Sequence, residues 1–323
     1  MRQISNIEAV RDAIAVEMRQ NPDIILLGEG TGERGGSFAH TKNLYQEFGA
    51  ERVIDTPIAE LGFTGLAVGA AATGLHPIVD LMFVDFTAEC LSQIVNQASK
   101  LHYVTNGQTC VPMLVRAAMG TIKGAAAHHS SCLYPWFMHI PGLKVVTYSC
   151  PIDGYGLMRT ALREPNPVIF LDHKSLFSVK GDAPDEDILV PFGKARIYRE
   201  GGDITVVATA LMAQRVLEAV DEMSDISVEV IDPRTLVPLD LDTIFSSVEK
   251  TGRLLIVDEA FPVCSFASEL AAQVASERLY ELDAPVRRLH PKAIPHPFSP
   301  PLEQAMIPQT AQITQAIREL MEE

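Results

Sequence analysis

Short apolar runs of strand length recur along this chain, each followed by a segment of helix length, and that alternation leaves few folds open to it. In the first half the runs are DIILLGE (23–29), RVIDT (52–56), HPIVDLMF (76–83), VPMLVRA (111–117), LKVVTY (143–148) and PVIFLDH (167–173). Amphipathic or small-residue segments at 6–20, 41–48, 62–74, 86–101 and 153–163 read as the helices between them. Strands apolar on both faces must be covered on both sides, which argues for parallel sheets between helical layers. The pattern repeats on a smaller scale with strands ITVVAT (204–209), SVEVID (227–232) and RLLIVDEA (253–260) and helices at 211–223, 240–250 and 265–278. The expected fold class is therefore α/β, with two open parallel or mixed sheets covered by helices. Between the halves SVKGDAPDEDILVPFGKA (178–195) is rich in proline, glycine and acids and keeps neither period. This places domains at 1–180 and 196–323 with a linker at 181–195. The proline-dense tail 284–301 cannot form a regular helix.

Composition narrows the class of partner. With 47% hydrophobic and 21% charged residues over 323 positions, the chain reads as a soluble globular protein of two domains. No run of about 18 uncharged apolar residues is present to span a bilayer. The start, MRQISNIEAVRDAI, reads as an amphipathic helix and not a signal peptide, so a cytoplasmic or equivalent reducing compartment is expected. The five scattered cysteines never take a CxxC spacing, which suggests neither a disulfide framework nor a zinc site and leaves most of them as buried thiols. A net charge of −15 disfavours nucleic acid and anionic membranes, and leaves small molecules and proteins as partners.

Three features carry chemistry. Glu60 stands alone at the head of ELGFTGLAVGAAATGL, where a carboxylate either answers the helix dipole or handles protons in an apolar setting. His128 and His129 lie in a Gly/Ala/Ser loop, where imidazoles serve equally as acid, base or structural hydrogen-bonding groups. The loop GEGTGERGGS after the first strand is not GxGxxG and opens with an acid that would repel a pyrophosphate. A nicotinamide-dependent dehydrogenase would need a phosphate loop that the sequence lacks, and no GxxxxGK[ST] occurs.

DTPIAELGFTGLAVGAAATGLHPIVDLMFVDF, VPMLVR, HHSSCLYPWFMHIPGLKVV, NPVIFLDHK, IDPRTLVPLD and LDAPV together resemble the β subunits of the thiamine-diphosphate-dependent 2-oxo acid dehydrogenases, over nearly the whole chain. The resemblance implies a transketolase-type pyrimidine-binding domain followed by a transketolase-type C-terminal domain. Glu60 then matches the glutamate that hydrogen-bonds the aminopyrimidine and promotes deprotonation of the thiazolium carbon. Met82 and Phe86 match positions that pack on that ring, and both equally suit an ordinary core. Ile58 lies beside Glu60, and Glu29 matches an acidic position of a proton path between paired sites. His129 matches the histidine that faces the thiazolium and the acyl acceptor, with His128 beside it where relatives often carry glutamine. The carbonyls of Met113, Ala161, Leu162 and Glu164, with Asn166, match a potassium site of some relatives.

The chain has no GDG followed by an NN-like motif, by which the family's α subunit binds Mg2+ and the diphosphate. The resemblance therefore implies an α-type partner, an α2β2 assembly with the cofactor at the interface, and no activity for this chain alone. Three departures stand out: Ser92 where an aspartate is common, Glu89 for a glutamine, and a tail, LHPKAIPHPFSPP, that differs at the surface relatives use to hold a lipoyl acyltransferase core. His290 and His296 in that tail are expected to be surface histidines. The expected activity is cleavage of a 2-oxo acid or acyloin with transfer of the acyl unit, by default to lipoamide. A two-subunit carboligase or transketolase-like synthase, and a non-catalytic scaffold subunit, remain as alternatives.

Overall fold

The computed structural model describes residues 3–185 and 187–323, which fall into two compact units, the described residues up to Met119 together with those of 136–192, and residues 120–135 with 193–323. Along the first part of the chain run β1 (Gln3–Ser5), β2 (Ile24–Gly28), β3 (Val53–Asp55), β4 (His76–Phe83), β5 (Leu114–Met119), β6 (Lys144–Val146), β7 (Val168–His173) and β8 (Lys180–Asp182). The helices there are α1 (Asn6–Gln20), α2 (Leu44–Phe48), α3 (Glu60–Ala72), α4 (Ser99–Val104), α5 (Tyr134–Met138) and α6 (Pro151–Ala161). Ser5 heads α1 through a reciprocal cap: its hydroxyl accepts from Glu8 N–H at 3.4 Å and Ser5 N–H donates to the Glu8 carboxylate at 3.0 Å. Ala9, Val10, Ala13, Ile14 and Met18 of α1 share one core with Leu157, Met158 and Ala161 of α6. A buried ion pair, Arg159 Nε to Glu17 Oε1 at 2.7 Å, joins the same two helices.

Strands β2 to β7 pair in parallel in the order β6-β7-β5-β4-β2-β3. The chain places β3 on one side of β2 and then β4 on the other, so the strand order reverses at β2. In an open parallel sheet such a reversal leaves a crevice at the C-terminal ends of the strands. Gly28 ends β2 where a Cβ would stand 2.4 Å from the Asp80 carbonyl, so β2 and β4 close only over glycine.

The second unit is built on β9 (Arg196–Arg199), β10 (Ile204–Ala208), β11 (Val228–Asp232), β12 (Thr235–Val237), β13 (Leu254–Val257) and β14 (Arg287–Leu289). Its sheet runs β14-β13-β10-β11-β9, parallel except for the antiparallel edge strand β9. Helices α7 (Leu211–Asp221), α8 (Leu241–Thr251), α9 (Phe266–Glu277), α10 (Pro300–Met306) and α11 (Thr310–Glu322) complete it. Val216 and Val220 of α7 meet Ile313 and Ile317 of α11 in a core over β10 and β11.

Several expectations are corrected. The single helix expected at 86–101 is a 3₁₀ segment (Val84–Cys90), a wide π turn (Gln93–Ala98) and α4. Hydroxyls take helix carbonyls there, Thr87 from Val84 at 2.6 Å and Ser99 from Val95 at 2.7 Å, in competition with the regular ladder. β5 starts at Leu114 and not at 111, because Pro112 has no N–H and Met113 N–H turns back to Val111 O at 2.8 Å. The segment read as an exposed linker contains β8, which pairs antiparallel with β1. The tail 284–301, where no regular helix was expected, contributes the short strand β14, paired parallel with β13. His296 is buried, 5% exposed, and packs on Phe261, because the proline-rich tail folds back onto its own unit. His290 is half-buried with Nδ1 3.1 Å from Ala260 O. No disulfide joins any of the five cysteines, and only Cys90 and Cys132 are buried, while Cys110 and Cys264 are exposed on loops. Among the described residues no helix is long and apolar enough to cross a membrane.

Candidate active site

β4 carries one carboxylate, Asp80, within a buried apolar strand. Its Oδ2 lies 2.7 Å from His40 Nε2, and its Oδ1 accepts from Met82 N–H at 3.1 Å. Burial alone would raise the Asp80 pKa, but His40, Arg116 and the Met82 amide outweigh it and hold the carboxyl below its ordinary value. The Asp80–Met82 turn lifts β4 out of register with β5 between Asp80 and Phe83, and leaves Met82 at φ 53°. A left-handed conformation at a non-glycine residue costs about 1–3 kcal/mol and persists only where the surroundings impose it. Here the bulge re-aims the thioether, whose Sδ lies 2.8 Å from the Ser37 hydroxyl. Phe86 is half-buried and stands edge-on to Phe83 at 5.5 Å, and Phe83 in turn meets Phe38 edge-on at 5.4 Å. An apolar, aromatic wall thus stands at the end of β4.

Glu29 follows β2 at the strand-order reversal. It is half-buried, and its Oε1 is enclosed with no hydrogen-bond partner among the described residues. Burial first, then the negative charges of Glu60 and Asp80, raise its pKa above the ordinary 4.5. A carboxyl whose pKa is raised by folding binds more protons folded than unfolded, so its ionisation destabilises the fold as pH rises through the raised value. Glu29→Gln should therefore melt higher than wild type at pH 8, with the difference shrinking as pH falls towards 4.5. Thermal denaturation at several pH values checks this.

Glu60 is the first residue of α3, and the preceding Ala59 offers no side-chain cap, so this carboxylate alone answers the positive end of the helix in its first turn. Ile58 is 83% exposed on this chain, and Leu61 and Leu66 are more than half exposed on the outer side of α3. Glu29, Glu60, Met82 and Phe86 thus belong to one unit, Glu29 directly after β2, Glu60 after β3, and Met82 and Phe86 at and just past the end of β4.

His128 and His129 belong to the other unit, on a loop closed by Gly120 N–H to Ser131 O at 3.0 Å. His128 is exposed and His129 half-buried, with its amide donating to Ala126 O at 3.3 Å. The carbonyls expected to hold potassium lie at the start of β5 and the C-terminal end of α6. Val168 N–H donates to Met113 O at 3.0 Å and Glu164 N–H to Ala161 O at 3.3 Å, which leaves each oxygen a lone pair. The Glu164 carboxylate is engaged by Lys144 Nζ at 2.5 Å, and Leu162 and Asn166 lie in the same turn after α6. Of the three departures, Glu89 and Ser92 are exposed.

Sequence reasoning missed His40, Asp80 and Ser37. One signal was there: a single acid inside HPIVDLMF, where a buried strand has to supply it with a partner.

Two family descriptions match the chain: transketolase, pyrimidine binding domain, over residues 2–180, and transketolase, C-terminal domain, over residues 193–313. The acetoin:2,6-dichlorophenolindophenol oxidoreductase subunit beta of Cupriavidus necator is 44% identical over 99% of this chain and 98% of its own. The corresponding subunit of Bacillus subtilis is 43% identical over 100% and 98%, and the pyruvate dehydrogenase E1 component subunit beta of Rhizobium meliloti is 43% identical over 96% and 68%. Among solved structures, a split gene transketolase described as an inactive beta4 tetramer superposes with a TM-score of 0.80 at 20% identity, covering 99% of this chain and 98% of that one, a likeness of fold. The chain belongs to the transketolase-like family of β subunits of thiamine-diphosphate-dependent 2-oxo acid and acetoin dehydrogenases, components that act as parts of heteromeric enzymes.

Proposed function

We propose that this β subunit holds the aminopyrimidine end of thiamine diphosphate at the crevice above β2 and β4, and works with an α-type subunit to cleave a small 2-oxo acid or acyloin. The observation that carries this reading is the pair Glu29 and Glu60, one with a buried oxygen lacking a partner, beside a strained methionine and a phenylalanine. That set suits a flat ring with nitrogen donors and apolar faces. When bound, the cofactor would supply a thiazolium carbon that, once deprotonated, is nucleophilic towards the substrate carbonyl, and a cationic ring able to take up the electron pair of the broken bond.

The chain's own part is to position and protonate. Glu60 would hold a proton at a ring nitrogen of the bound cofactor, and Glu29, whose pKa is raised by burial and by the charges of Glu60 and Asp80, would exchange protons with it. Met82, Phe86 and Ile58 keep water from the reacting carbon. His129 gives or takes a proton at the acyl oxygen or acceptor, with His128 beside it. Mg2+ and the diphosphate fall to the α partner, since this sequence lacks the GDG motif for them. The exposed Ile58, Leu61 and Leu66 along an α3 that is apolar on every side support a partner chain there. An α2β2 assembly with two sites is the expected form, in the cytoplasm, with potassium at the carbonyls behind α6. Lipoamide on an acyltransferase core is the default acceptor.

The test is turnover by the co-expressed pair on pyruvate, branched-chain 2-oxo acids and acetoin, read with a dichlorophenolindophenol-type dye and separately with lipoamide. Cleavage of one substrate class with transfer to lipoamide supports the reading. Reaction only when an aldehyde is the acceptor would make the protein a carboligase, and cofactor binding without any turnover would make it a scaffold.

A further inference from the structure

We infer that Glu303 is a positioning residue for the loop that carries His128 and His129. The inference rests on the proposed role of His129 but stands on separate contacts, all within the second unit. Glu303 lies on α10 and is buried, only 5% exposed. Its Oε2 accepts from Gly124 N–H at 3.0 Å, and its Oε1 is buried without a hydrogen-bond partner among the described residues. A carboxylate is held in such a place only if something there needs an acceptor.

The loop leaves little alternative. Gly124 sits at φ 78°, with Lys123 at 41° and Ala126 at 64° beside it, so three residues within four positions take left-handed backbone. A Cβ at Gly124 would come within 2.7 Å of the Phe298 carbonyl, so the loop tip is seated directly against the C-terminal tail. The two ends of the loop are tied to the turn after β13: Thr121 N–H points to Glu259 Oε1 at 3.4 Å, and the Tyr134 hydroxyl donates to the buried Asp258. Asp258 also accepts from the Ala260 and Ala267 amides at 2.9 and 3.0 Å, so that end is rigid. Glu303 is thus the one carboxylate among these three that acts on the tip, five residues before His129. Without it, the strained tip loses its polar anchor while both ends stay fixed.

The test uses the enzyme co-expressed with its α partner and compares Glu303→Ala, Glu303→Gln and Gly124→Ala. The exposed Lys123 supplies a readout independent of catalysis: Glu303 holds the Gly124 N–H of the Lys123–Gly124 bond, so trypsin cleavage there is expected to speed up when the tip opens. In Glu303→Ala and in Gly124→Ala, cleavage at this bond should accelerate at least tenfold, and kcat for acyl transfer should fall by about 10- to 100-fold as the histidines lose their placement. KM for the donor substrate should change little. Glu303→Gln keeps an acceptor for the Gly124 amide and should restore both protection and kcat to within about threefold. Unchanged cleavage in both Glu303→Ala and Gly124→Ala would overturn the inference. So would a Glu303→Gln enzyme as open as the alanine variant. His129→Ala separates the two claims: if it retains full kcat while Glu303→Ala still opens the tip, the clamp stands and the role given to His129 falls.

Discussion

Replacing Glu60 by glutamine should lower turnover of the assembled enzyme by about 10²- to 10⁴-fold, the range that a positioned acid or base contributes, with little change in the Kd for thiamine diphosphate. Glutamine keeps the length and one acceptor oxygen of the carboxylate but neither its charge nor its basicity, so the ring can still be held while the proton cannot be moved. The competing account is that Glu60 serves only the positive end of α3, where no other side chain caps the helix. That role is worth about 0.3–1 kcal/mol, so its loss would appear as a small drop in Tm with turnover intact. The two accounts differ by orders of magnitude in kcat and are separated by measuring kcat and Tm on the same preparation. Glu29→Gln in the same background reports whether the two carboxylates share a proton: the pH profile of the double variant should match that of Glu60→Gln alone.

The largest stability effect should come from Arg116→Met. Arg116 is 2% exposed on β5, and its Nε lies 2.5 Å from Asp172 Oδ2 at the end of β7. Burial pulls the guanidinium pKa down, but Asp172 and Asp80 more than offset it, so the charge is kept. The Tyr148 hydroxyl donates to the other Asp172 oxygen at 2.6 Å, and Arg116 reaches the His40 carbonyl at 3.5 Å. Removing the arginine leaves a buried carboxylate without its cation, at a cost of about 3–5 kcal/mol. Arg116→Met with Asp172→Asn should recover much of that loss, because the asparagine still accepts from Tyr148 and carries no charge to strand. Denaturant unfolding of both variants checks this. Equal destabilisation by the single and double variants would show that packing, and not the unpaired charge, sets the cost. Because the same network touches His40 and Asp80 beneath Met82, the single variant should also weaken cofactor binding.

The strands and helices of this protein were legible where each had its own period: α1 was read at its observed residues, and β2, β4, β7, β10 and β11 to within a residue or two at either end. Elements that depend on distant partners were not. β1 and β8 are three-residue strands that exist only by pairing between residues 3–5 and 180–182, and β14 is three residues in a tail read only as unable to form a regular helix. The break in the helix at 84–104 arises from hydroxyls taking backbone carbonyls, which apolar periodicity does not register. In the site, Glu60 could be singled out by isolation alone, a lone acid in an apolar run. The wall beside it could not, because Met82 gains its orientation from a bulge fixed by Asp80 two residues away. The resemblance supplied the residues, and the structure adds the backbone bulge that sets Met82. Nor did any local pattern mark Glu303, which is one acid in a C-terminal segment until the fold brings it to Gly124.

The central claim is that this chain contributes the proton-handling half of a cofactor site completed by an α-type subunit. Calorimetric titration of thiamine diphosphate with Mg2+ into the isolated chain, and then into the chain co-expressed with its α-type partner, tests it most directly. The account expects no binding and no turnover for the isolated chain, and binding with turnover for the pair. Tight binding and turnover by the isolated chain, or no binding by the pair, would contradict it.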